Sequence, residues 1–335
     1  MLYLQIFLLI LGFALLVKGA DWFVDGSAGI AGKCKISPLV IGLTVVAFGT
    51  SAPELAVSIA SAVQHYTDIS IGNVVGSNIC NILLILGLSA LLHSLPVQKN
   101  SLKLDLPVLL LASVLLIGLG AWGGALQWWD GLILLAVLSV YMFILLRGAI
   151  KSQKQQRTLE PLPEPEAEKE EKPKGKLGAW YEKMQQKLWF LILLALVGLG
   201  MVVGGGTLLV DSAQYIADKM GVPPRIIGLT VVAIGTSLPE LVTSVVAAKK
   251  GETDIAVGNI IGSNIFNIFL VAGAASLFYP LTFTVQGNLI DAIVALGAAV
   301  LLTCFAFFKG HKLGKVAGAV MLACFIGYYV YLFIV

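Results

Sequence analysis

A fourteen-residue stretch occurs twice in this chain. The sequence GLTVVAFGTSAPEL begins at Gly42, and GLTVVAIGTSLPEL begins at Gly228, 186 residues later, with only two changes. Each copy places a glutamate directly after a proline in an otherwise apolar run, at Glu54 and at Glu240. A carboxylate in apolar surroundings is unfavourable unless it is paired or hydrogen-bonded. Two such combinations in one chain therefore indicate that both glutamates have a structural or functional role.

Apolar segments of about 20 residues recur along the chain and predict membrane-spanning helices. Hydrophobic residues make up 58% of the sequence and charged residues 12%, and the mean hydropathy is +0.92, which excludes an ordinary soluble protein. The apolar runs are continuous rather than alternating, which excludes a porin-like barrel. The sequence therefore predicts an all-α polytopic membrane protein in contact with the lipid bilayer.

No motif indicates an enzyme, because the sequence has no nucleotide-binding loop, redox motif or activated nucleophile. The four cysteines show no metal-ligand or disulfide spacing, and the net charge of +3 is too small to indicate nucleic-acid binding. We therefore expect no enzymatic activity, no cofactor, no nucleic-acid partner and no obligate protein partner.

Ten predicted spans divide into five before and five after one long polar segment. Their approximate boundaries are 2–26, 39–63, 70–94, 105–122, 128–147, 189–214, 226–248, 256–279, 288–308 and 315–334. Residues 1–147 and 189–335 are then two five-helix repeats. Residues 148–188 are rich in Glu, Lys and Pro, which predicts a flexible, solvated linker. The first apolar run has no cleavage site and predicts a retained helix.

Lysine and arginine residues predict the orientation in the cell membrane. With the N-terminus outside, the inside loops and the long linker carry nearly all of the basic residues. Only Lys219 and Arg225 then fall outside. By the positive-inside rule the linker is cytoplasmic and both termini are outside.

The repeat continues beyond its first block and predicts an inverted topology. GNVVGSNICNIL, from Gly72, matches GNIIGSNIFNIF, from Gly258, without a gap. Because five spans separate the two copies, an odd number, the second copy enters the membrane from the opposite side. Inverted repeats are typical of alternating-access transporters whose binding site lies near the midplane, between the repeats.

Both repeats offer hard oxygen ligands. Pro53 has no amide hydrogen, so we expect the helix to break there and the carbonyls near Ala47 and Thr50 to lose their partners. Residues at four-residue spacing on the next span share one helix face. The candidate ion ligands are Ala47, Thr50, Ser51, Glu54, Asn73, Ser77 and Asn81, with Ala233, Thr236, Ser237, Glu240, Asn259, Ser263 and Asn267 in the second repeat.

The ligand types favour calcium and sodium. No His or Cys belongs to the set, which disfavours zinc, copper and iron. Calcium takes about 6–8 oxygens, whereas magnesium prefers to keep its waters. Each carboxylate near the bilayer centre costs about 2.5–3.5 kcal/mol, and either one divalent cation or a few sodium ions would neutralise the pair. A site that is satisfied by either ion, but not by both together, suits an exchanger.

The doubled motif Gly-Thr-Ser-x-Pro-Glu, each copy followed by Gly-Asn-x-x-Gly-Ser-Asn-x-x-Asn, resembles the two α-repeats of the cation/calcium antiporter superfamily. The sequence is most similar to the microbial sodium/calcium exchangers, over both five-helix halves. The resemblance implies calcium between Glu54 and Glu240, helped by Thr50 and Thr236. It implies sodium sites that add Ala47, Ser77, Ala233 and Ser263, with Asn81 and Asn267 at the centre.

One position departs from some members of that superfamily, which carry an aspartate where this chain has Asn267. The difference leaves the ion count, potassium dependence and proton participation open. The main alternative to sodium coupling is a calcium/proton antiporter, because two buried carboxylates can also take protons. A cation channel is a remote alternative, because channels place their ligands around an axis shared by several subunits.

Several other polar residues are expected to serve the structure. Asn78 and Asn264 fall off the four-residue stripe, so we expect them to hydrogen-bond to a neighbouring helix. The glycine pairs Gly72/Gly76 and Gly258/Gly262 have small-xxx-small spacing and predict close helix packing. The spacing of Lys18, Asp21 and Asp25 on the first span predicts an internal ion pair near the membrane end.

Overall fold

A computed structural model of the chain describes residues 2–159, 183–220, 233–283, 288–308 and 310–334. Within these residues the chain is helical apart from short turns and four two-residue strands, which confirms the predicted all-α class. Predictions for the linker within 160–182, for Arg225 and for the first part of the second motif copy, residues 228–232, lie outside this part of the chain.

The helices are numbered here in chain order. They are α1 (Leu2–Cys34), α2 (Pro38–Thr50), α3 (Ala52–Val63), α4 (Thr67–Leu92), α5 (Ser101–Gly123), α6 (Trp128–Leu159), α7 (Leu188–Lys219), α8 (Ala233–Thr236), α9 (Leu238–Lys249), α10 (Thr253–Phe278), α11 (Asn288–Phe307) and α12 (Lys315–Ile334). The strands are β1 (Leu95–Pro96), β2 (Ala125–Leu126), β3 (Leu281–Thr282) and β4 (Lys312–Leu313).

Eight of the described helices are long and apolar enough to cross a membrane: α1, α4, α5, α6, α7, α10, α11 and α12. The pair α2 and α3 makes a ninth candidate span, bent by 44°. The remaining predicted span, 226–248, begins outside the described residues, and its described part consists of α8 and α9.

Three helices extend beyond their predicted ends, and one of them, α7, continues to Lys219 instead of ending at residue 214. Helix α1 continues to Cys34 instead of ending near residue 26, and α6 continues to Leu159 instead of ending at residue 147. Residues 148–159 had been assigned to the linker on their polarity. They contain helix-favouring Lys, Gln, Arg and Ala, and no proline occurs before Pro161, so nothing stops the helix at the membrane surface.

The predicted break at Pro53 is confirmed. Helix α2 ends at Thr50 and α3 begins at Ala52, with Pro53 in its first turn, where a missing amide hydrogen costs no helical bond. The second repeat breaks in the same way, between Thr236 and Leu238. The expectation that the Ala47 carbonyl loses its partner was wrong, because this carbonyl accepts a hydrogen bond from the Ser51 amide at 3.0 Å.

Wider π-helical turns interrupt the long helices at related positions. Helix α4 contains one over Cys80–Leu86, and α10 contains one over Asn267–Ala272. Such turns change the backbone hydrogen-bond pattern locally and are frequent at functional sites. Asn81 and Asn267, which correspond in the two repeats, both lie in these turns.

Glycines bring α2 into direct contact with α10. A Cβ atom built at Gly42 would lie 2.8 Å from the Ile255 carbonyl, and one at Gly258 would lie 2.8 Å from the Leu39 carbonyl. Gly262 lies equally close to the Leu43 backbone. The predicted packing role of Gly258 and Gly262 is therefore confirmed. That of Gly72 and Gly76 stays a prediction, because no described atom lies within 4 Å of a Cβ atom there.

Helices α1 and α7 pack along their length through small residues. Gly12 faces Gly205, and Gly19 faces Gly198, each so close that a Cβ atom would lie 2.8 Å from the opposing carbonyl. A Cβ atom at Gly26 would lie 2.6 Å from the Ala195 backbone nitrogen. Close backbone approach of this kind gives two membrane helices extensive van der Waals contact without interlocking side chains.

Many contacts recur in pairs separated by the repeat offset. Strand β1 pairs with β4 and β2 pairs with β3, so each small sheet joins one half of the chain to the other. The Tyr141 hydroxyl donates to Asp105 at 3.0 Å, and the Tyr328 hydroxyl donates to Asp291 at 2.8 Å. The two halves thus reuse the same contacts at corresponding positions.

One ion-pair network has no such counterpart. The Lys250 ammonium, just after α9, lies 2.6 Å from both Asp21 and Asp25 on α1. Lys18 pairs with Asp21 as predicted, but Asp25 pairs with Lys250 rather than with its own helix. Burial alone lowers the pKa of Lys250, yet its bonds to the two aspartates outweigh this and raise its pKa above the ordinary value. Lys250 is therefore charged at neutral pH and ties α1 to α9.

Candidate functional site

Two glutamates lie at the helix breaks, one from each half of the chain. Glu54 is in the first turn of α3 and Glu240 is in the first turn of α9, and both side chains are completely buried. A helix N-terminus carries unpaired amide hydrogens and a partial positive charge, which stabilises a carboxylate there. The two carboxylates, one from each half, interact with each other electrostatically.

Hydroxyl groups from both halves converge on Glu240. The Ser51 hydroxyl donates to Glu240 Oε1 at 3.1 Å across the interface, and the Ser263 hydroxyl contacts the same oxygen at 3.4 Å. Ser51 comes from the first break and Ser263 from α10. The structure thus brings the two break regions together with α10, as a shared site requires.

Threonine and asparagine residues join the halves in a second pair of contacts. The Thr50 hydroxyl donates to Asn259 Oδ1 at 3.1 Å, and the Thr236 hydroxyl contacts Asn73 Oδ1 at 3.5 Å. These two bonds correspond under the repeat offset. Thr50 and Asn259 are fully buried, whereas Thr236 and Asn73 are partly exposed, so the two sides of the site differ in accessibility.

Two serines support the asparagines and were missed by the sequence analysis. Asn73 Nδ2 donates to the Ser58 hydroxyl at 2.9 Å, and Asn259 Nδ2 donates to the Ser244 hydroxyl at 2.9 Å. Each serine lies four residues after a glutamate, so it shares the glutamate's helix face. That spacing was a signal in the sequence. The serines turn the asparagine oxygens towards the two threonines.

The remaining candidates also lie in or beside this cluster. Ala47 is buried in the last turn of α2, Ser237 is buried at the second break, and Ala233 begins α8. Ser77, Asn81 and Asn267 are buried on α4 and α10, one or two turns from Asn73 and Ser263.

Several oxygen atoms of the cluster have no hydrogen-bond partner among the described residues. They are both carboxylate oxygens of Glu54, Glu240 Oε2, the Ser77 hydroxyl, the Asn81 amide and Asn267 Oδ1. Buried polar atoms are nearly always paired, because an unpaired one costs about 1–3 kcal/mol. A concentration of unpaired oxygens around two carboxylates is the donor set that a hard cation needs.

Among the described residues, no three His, Cys, Asp or Glu side chains lie close enough together to hold one metal ion. The formal charge of the cluster therefore comes from two carboxylates, and its other ligands are neutral oxygens. This composition matches calcium or sodium better than a transition metal.

Two cavities lie near the helices of the site. The larger, about 1120 Å³, lies beyond the end of α1, beside Lys35, Lys103 and Leu145, and contains no candidate ligand. The smaller, about 210 Å³, lies between α7 and the two breaks, where it is lined by Pro53, Thr236, Pro239 and other residues. This smaller cavity reaches the site beside Thr236, the more exposed of the two threonines.

Comparisons with known proteins match the chain over almost its whole length. The profile of a family described as "Sodium/calcium exchanger protein" matches residues 4–147 and 190–334. The putative antiporter CaxA of Alkalimonas amylolytica is 38% identical, and the alignment covers 99% of both chains. The sodium/calcium exchanger MaX1 of Methanosarcina acetivorans is 34% identical, again over 99% of both chains.

A solved structure has the same fold. The sodium-calcium exchanger NCX_Mj superposes with a TM-score of 0.82 at 34% sequence identity, covering 98% of this chain and 99% of that one. Family profile, full-length relatives and structure agree with the resemblance that the doubled motif indicates. The chain is a multi-pass membrane protein that belongs to the sodium/calcium exchanger family.

Proposed function

We propose that this chain is a secondary active antiporter that exchanges calcium for sodium at one site between its two repeats. Glu54 and Glu240 are the ligands that both cations share. The observation that carries the proposal is the pair of fully buried carboxylates, one from each half, surrounded by unpaired oxygens. The family and the relatives named as sodium/calcium exchangers support the choice of ions.

The charge of the site favours exchange over simultaneous binding. Two carboxylates buried together repel each other, and each is costly in a bilayer. One calcium ion neutralises both charges, and sodium ions can do the same in its place. Since binding both cargoes together would leave excess positive charge in a buried site, one cargo displaces the other.

The proposed ligand sets follow the buried oxygens. Calcium lies between the two glutamates, with the Thr50 and Thr236 carbonyls completing its shell. Sodium ions use in addition the Ala47 and Ala233 carbonyls and the hydroxyl groups at the breaks and on α4 and α10. The further proposed ligands are Ser51, Ser237, Asn73, Asn259, Ser77, Ser263, Asn81 and Asn267. The Ala47 carbonyl accepts the Ser51 amide at 3.0 Å and lies 3.4 Å from the Thr50 hydroxyl. Because that hydroxyl donates its single hydrogen to Asn259 over the shorter distance, the Ala47 carbonyl can still bind a cation.

The proposed architecture is ten membrane helices in two inverted repeats, residues 1–147 and 189–335, joined by a cytoplasmic linker, with both termini outside. The paired contacts at equal offset support it. Alternating access follows if α1 and α7 slide together past the site. Their close, glycine-lined backbone contact holds the two helices together, so the pair can move as one body.

The ion coupling is tested by calcium-45 uptake into vesicles that contain the purified chain. An outward sodium gradient should drive calcium uptake, and removing sodium should stop it. Uptake driven by a pH gradient without sodium would instead support calcium/proton exchange. Adding potassium in the same vesicles tests potassium dependence. Ion flow faster than about a million per second would contradict an antiporter and indicate a channel.

A further inference from the structure

Asn78 lies close to the axis that relates the two halves of the chain. Its counterpart at the repeat offset is Asn264, and the Asn78 amide contacts Asn264 directly: Asn78 Nδ2 lies 3.3 Å from the Asn264 carbonyl oxygen. A residue that touches its own counterpart must be near the axis. Both side chains are buried, and neither belongs to the proposed ligand set.

The bond to Asn264 determines which way the Asn78 amide points. A carbonyl oxygen only accepts hydrogen bonds, so the Asn78 atom facing it must be the nitrogen. At the start of the π-helical turn, the Asn264 carbonyl accepts one hydrogen bond, from the Asn267 backbone amide. It remains able to accept a second one, from Asn78. The Asn78 oxygen is therefore on the opposite branch of the amide.

That oxygen in turn determines the orientation of Asn267. Asn267 Nδ2 donates to Asn78 Oδ1 at 3.1 Å, and Asn267 Oδ1 is buried without a partner among the described residues. Asn267 lies one helical turn after Ser263, which contacts Glu240. The Asn267 oxygen is thus presented on the face of α10 that carries the site.

The other half of the chain does not repeat this arrangement. Asn264 donates to the Ile260 carbonyl of its own helix at 2.7 Å, and neither amide atom of Asn81 has a partner among the described residues. Two side chains cannot both occupy the space at the axis, so only one of them bridges the halves. Asn267 is therefore fixed, whereas its counterpart Asn81 is not.

We propose that Asn78 is a positioning residue for the ion site, which holds the Asn267 amide with its oxygen towards the cation. The inference rests on the proposed function, because it assumes that Asn267 is a ligand. Asn78 itself does not touch the ion. It acts through Asn267 alone, and its effect should disappear when the Asn267 amide is removed.

A double-mutant cycle tests this directly. Asn78→Leu and Asn267→Ala should each raise the half-saturating calcium and sodium concentrations about tenfold, the effect of losing one hydrogen-bonded or liganding group. In Asn78→Leu, which keeps every proposed ligand, the maximal exchange rate should stay within about twofold. The double variant should be no worse than Asn267→Ala, because residues that act through one another are not additive. Asn78→Ser serves if the leucine variant does not fold.

Asn264→Leu is the matched control, since it removes a buried amide group that bonds only within its own helix and keeps the backbone carbonyl that Asn78 contacts. It should leave both half-saturating concentrations unchanged. Additive effects in the cycle, unchanged ion affinities in Asn78→Leu, or an equal loss of affinity in Asn264→Leu would each overturn the positioning role. If the unmodified chain exchanges no calcium for sodium, the proposed function itself fails. This outcome is distinct from a failed positioning role of Asn78, which only the variants test.

Discussion

At the scale of single residues, the proposed exchange depends on two carboxylates that form no ion pair with a cationic side chain in the described part of the chain. Both oxygens of Glu54 and one oxygen of Glu240 are buried and unpaired among the described residues. Such an arrangement is unfavourable in the bare protein and becomes favourable when a cation binds. The residues that most weaken folding in the absence of ions are then the ones that bind the cargo.

Neutralising either glutamate should abolish calcium transport without unfolding the chain. Glu54→Gln and Glu240→Gln keep the side-chain size but remove one of the two charges that balance calcium. Calcium-45 uptake and the elution profile of the purified variants measure transport and folding separately. Asp130→Asn is the control, because it makes the same chemical change at a buried carboxylate that bonds the Gln127 amide. Calcium transport retained by either glutamine variant would refute the site.

Residue patterns predicted which oxygen-bearing side chains cluster at the breaks better than the contacts that support them. The motif identified Glu54, Glu240 and the neutral oxygens, because chemistry and spacing are visible in a sequence. Ser58 and Ser244 were missed, since a serine four residues after a glutamate is too common to stand out. The bond between Asn78 and Asn267 was not predictable, because it depends on how two helices meet at the axis.

At the scale of helices, the glycines between α1 and α7 should matter for stability only where the backbones touch. Gly198→Ala would place a methyl group 2.5 Å from the Phe23 amide nitrogen, which overpacks the contact and should cost about 1–3 kcal/mol. Gly200→Ala on the same helix meets nothing among the described residues within 4 Å. Thermal unfolding should show a lower midpoint for Gly198→Ala alone. Equal midpoints would argue against a tight α1–α7 contact.

The ties of Lys250 to α1 should bias the exchanger towards one of its two conformations. The position that corresponds to Lys250 in the first repeat is Gln64, so the pairing with Asp25 has no counterpart at Asp211. Lys250→Gln should release α1 and shift the population by about fivefold, since partly exposed pairs contribute up to about 1 kcal/mol each. A cysteine at Val57, beside the smaller cavity, should then react more slowly with a reagent added outside.

Lys249→Gln is the control for this experiment, because Lys249 is exposed and has no ion pair in the described part of the chain. Gln64→Lys would create the missing counterpart opposite Asp211. It should also slow labelling at position 57, by favouring closure on the outer side. Faster labelling in Gln64→Lys, or equal effects of the Lys249 and Lys250 variants, would contradict the bias.

Helix boundaries show where sequence patterns are limited. The hydropathy pattern located the helices but predicted that α1 and α6 end at the bilayer surface. Hydropathy reports how favourably a segment inserts into the bilayer, not how far the helix continues outside it. The π-helical turns at Cys80–Leu86 and Asn267–Ala272 left no periodicity signal. The break at Pro53 was predictable, because the missing amide hydrogen removes a helical hydrogen bond locally. This effect does not depend on what the helix packs against.

At the scale of the whole molecule, the proposed orientation can be tested by labelling. In a variant without the four native cysteines, a cysteine at Glu168 should react only with reagent on the cytoplasmic side. A cysteine at Lys219 should react only from outside. Labelling of both positions from one side would contradict the odd number of spans between the repeats, and with it the inverted topology.

The repeat offset was the most productive signal for the architecture. It indicates two equivalent halves, and the two small sheets and the two Tyr–Asp bonds lie at corresponding positions in them. It could not predict where the pairing fails, at Lys250 and at Asn78. These places depend on single residues that differ between the halves or compete for space at the axis.

The central claim is that calcium and sodium use one site and exclude each other. Calcium-45 binding to the purified chain at increasing sodium concentrations tests it most directly. The account predicts that sodium displaces all bound calcium, that excess calcium restores binding to the same capacity, and that Glu54→Gln binds no calcium. Calcium binding that sodium leaves unchanged, or a complex that holds both ions at full occupancy, would contradict a shared site.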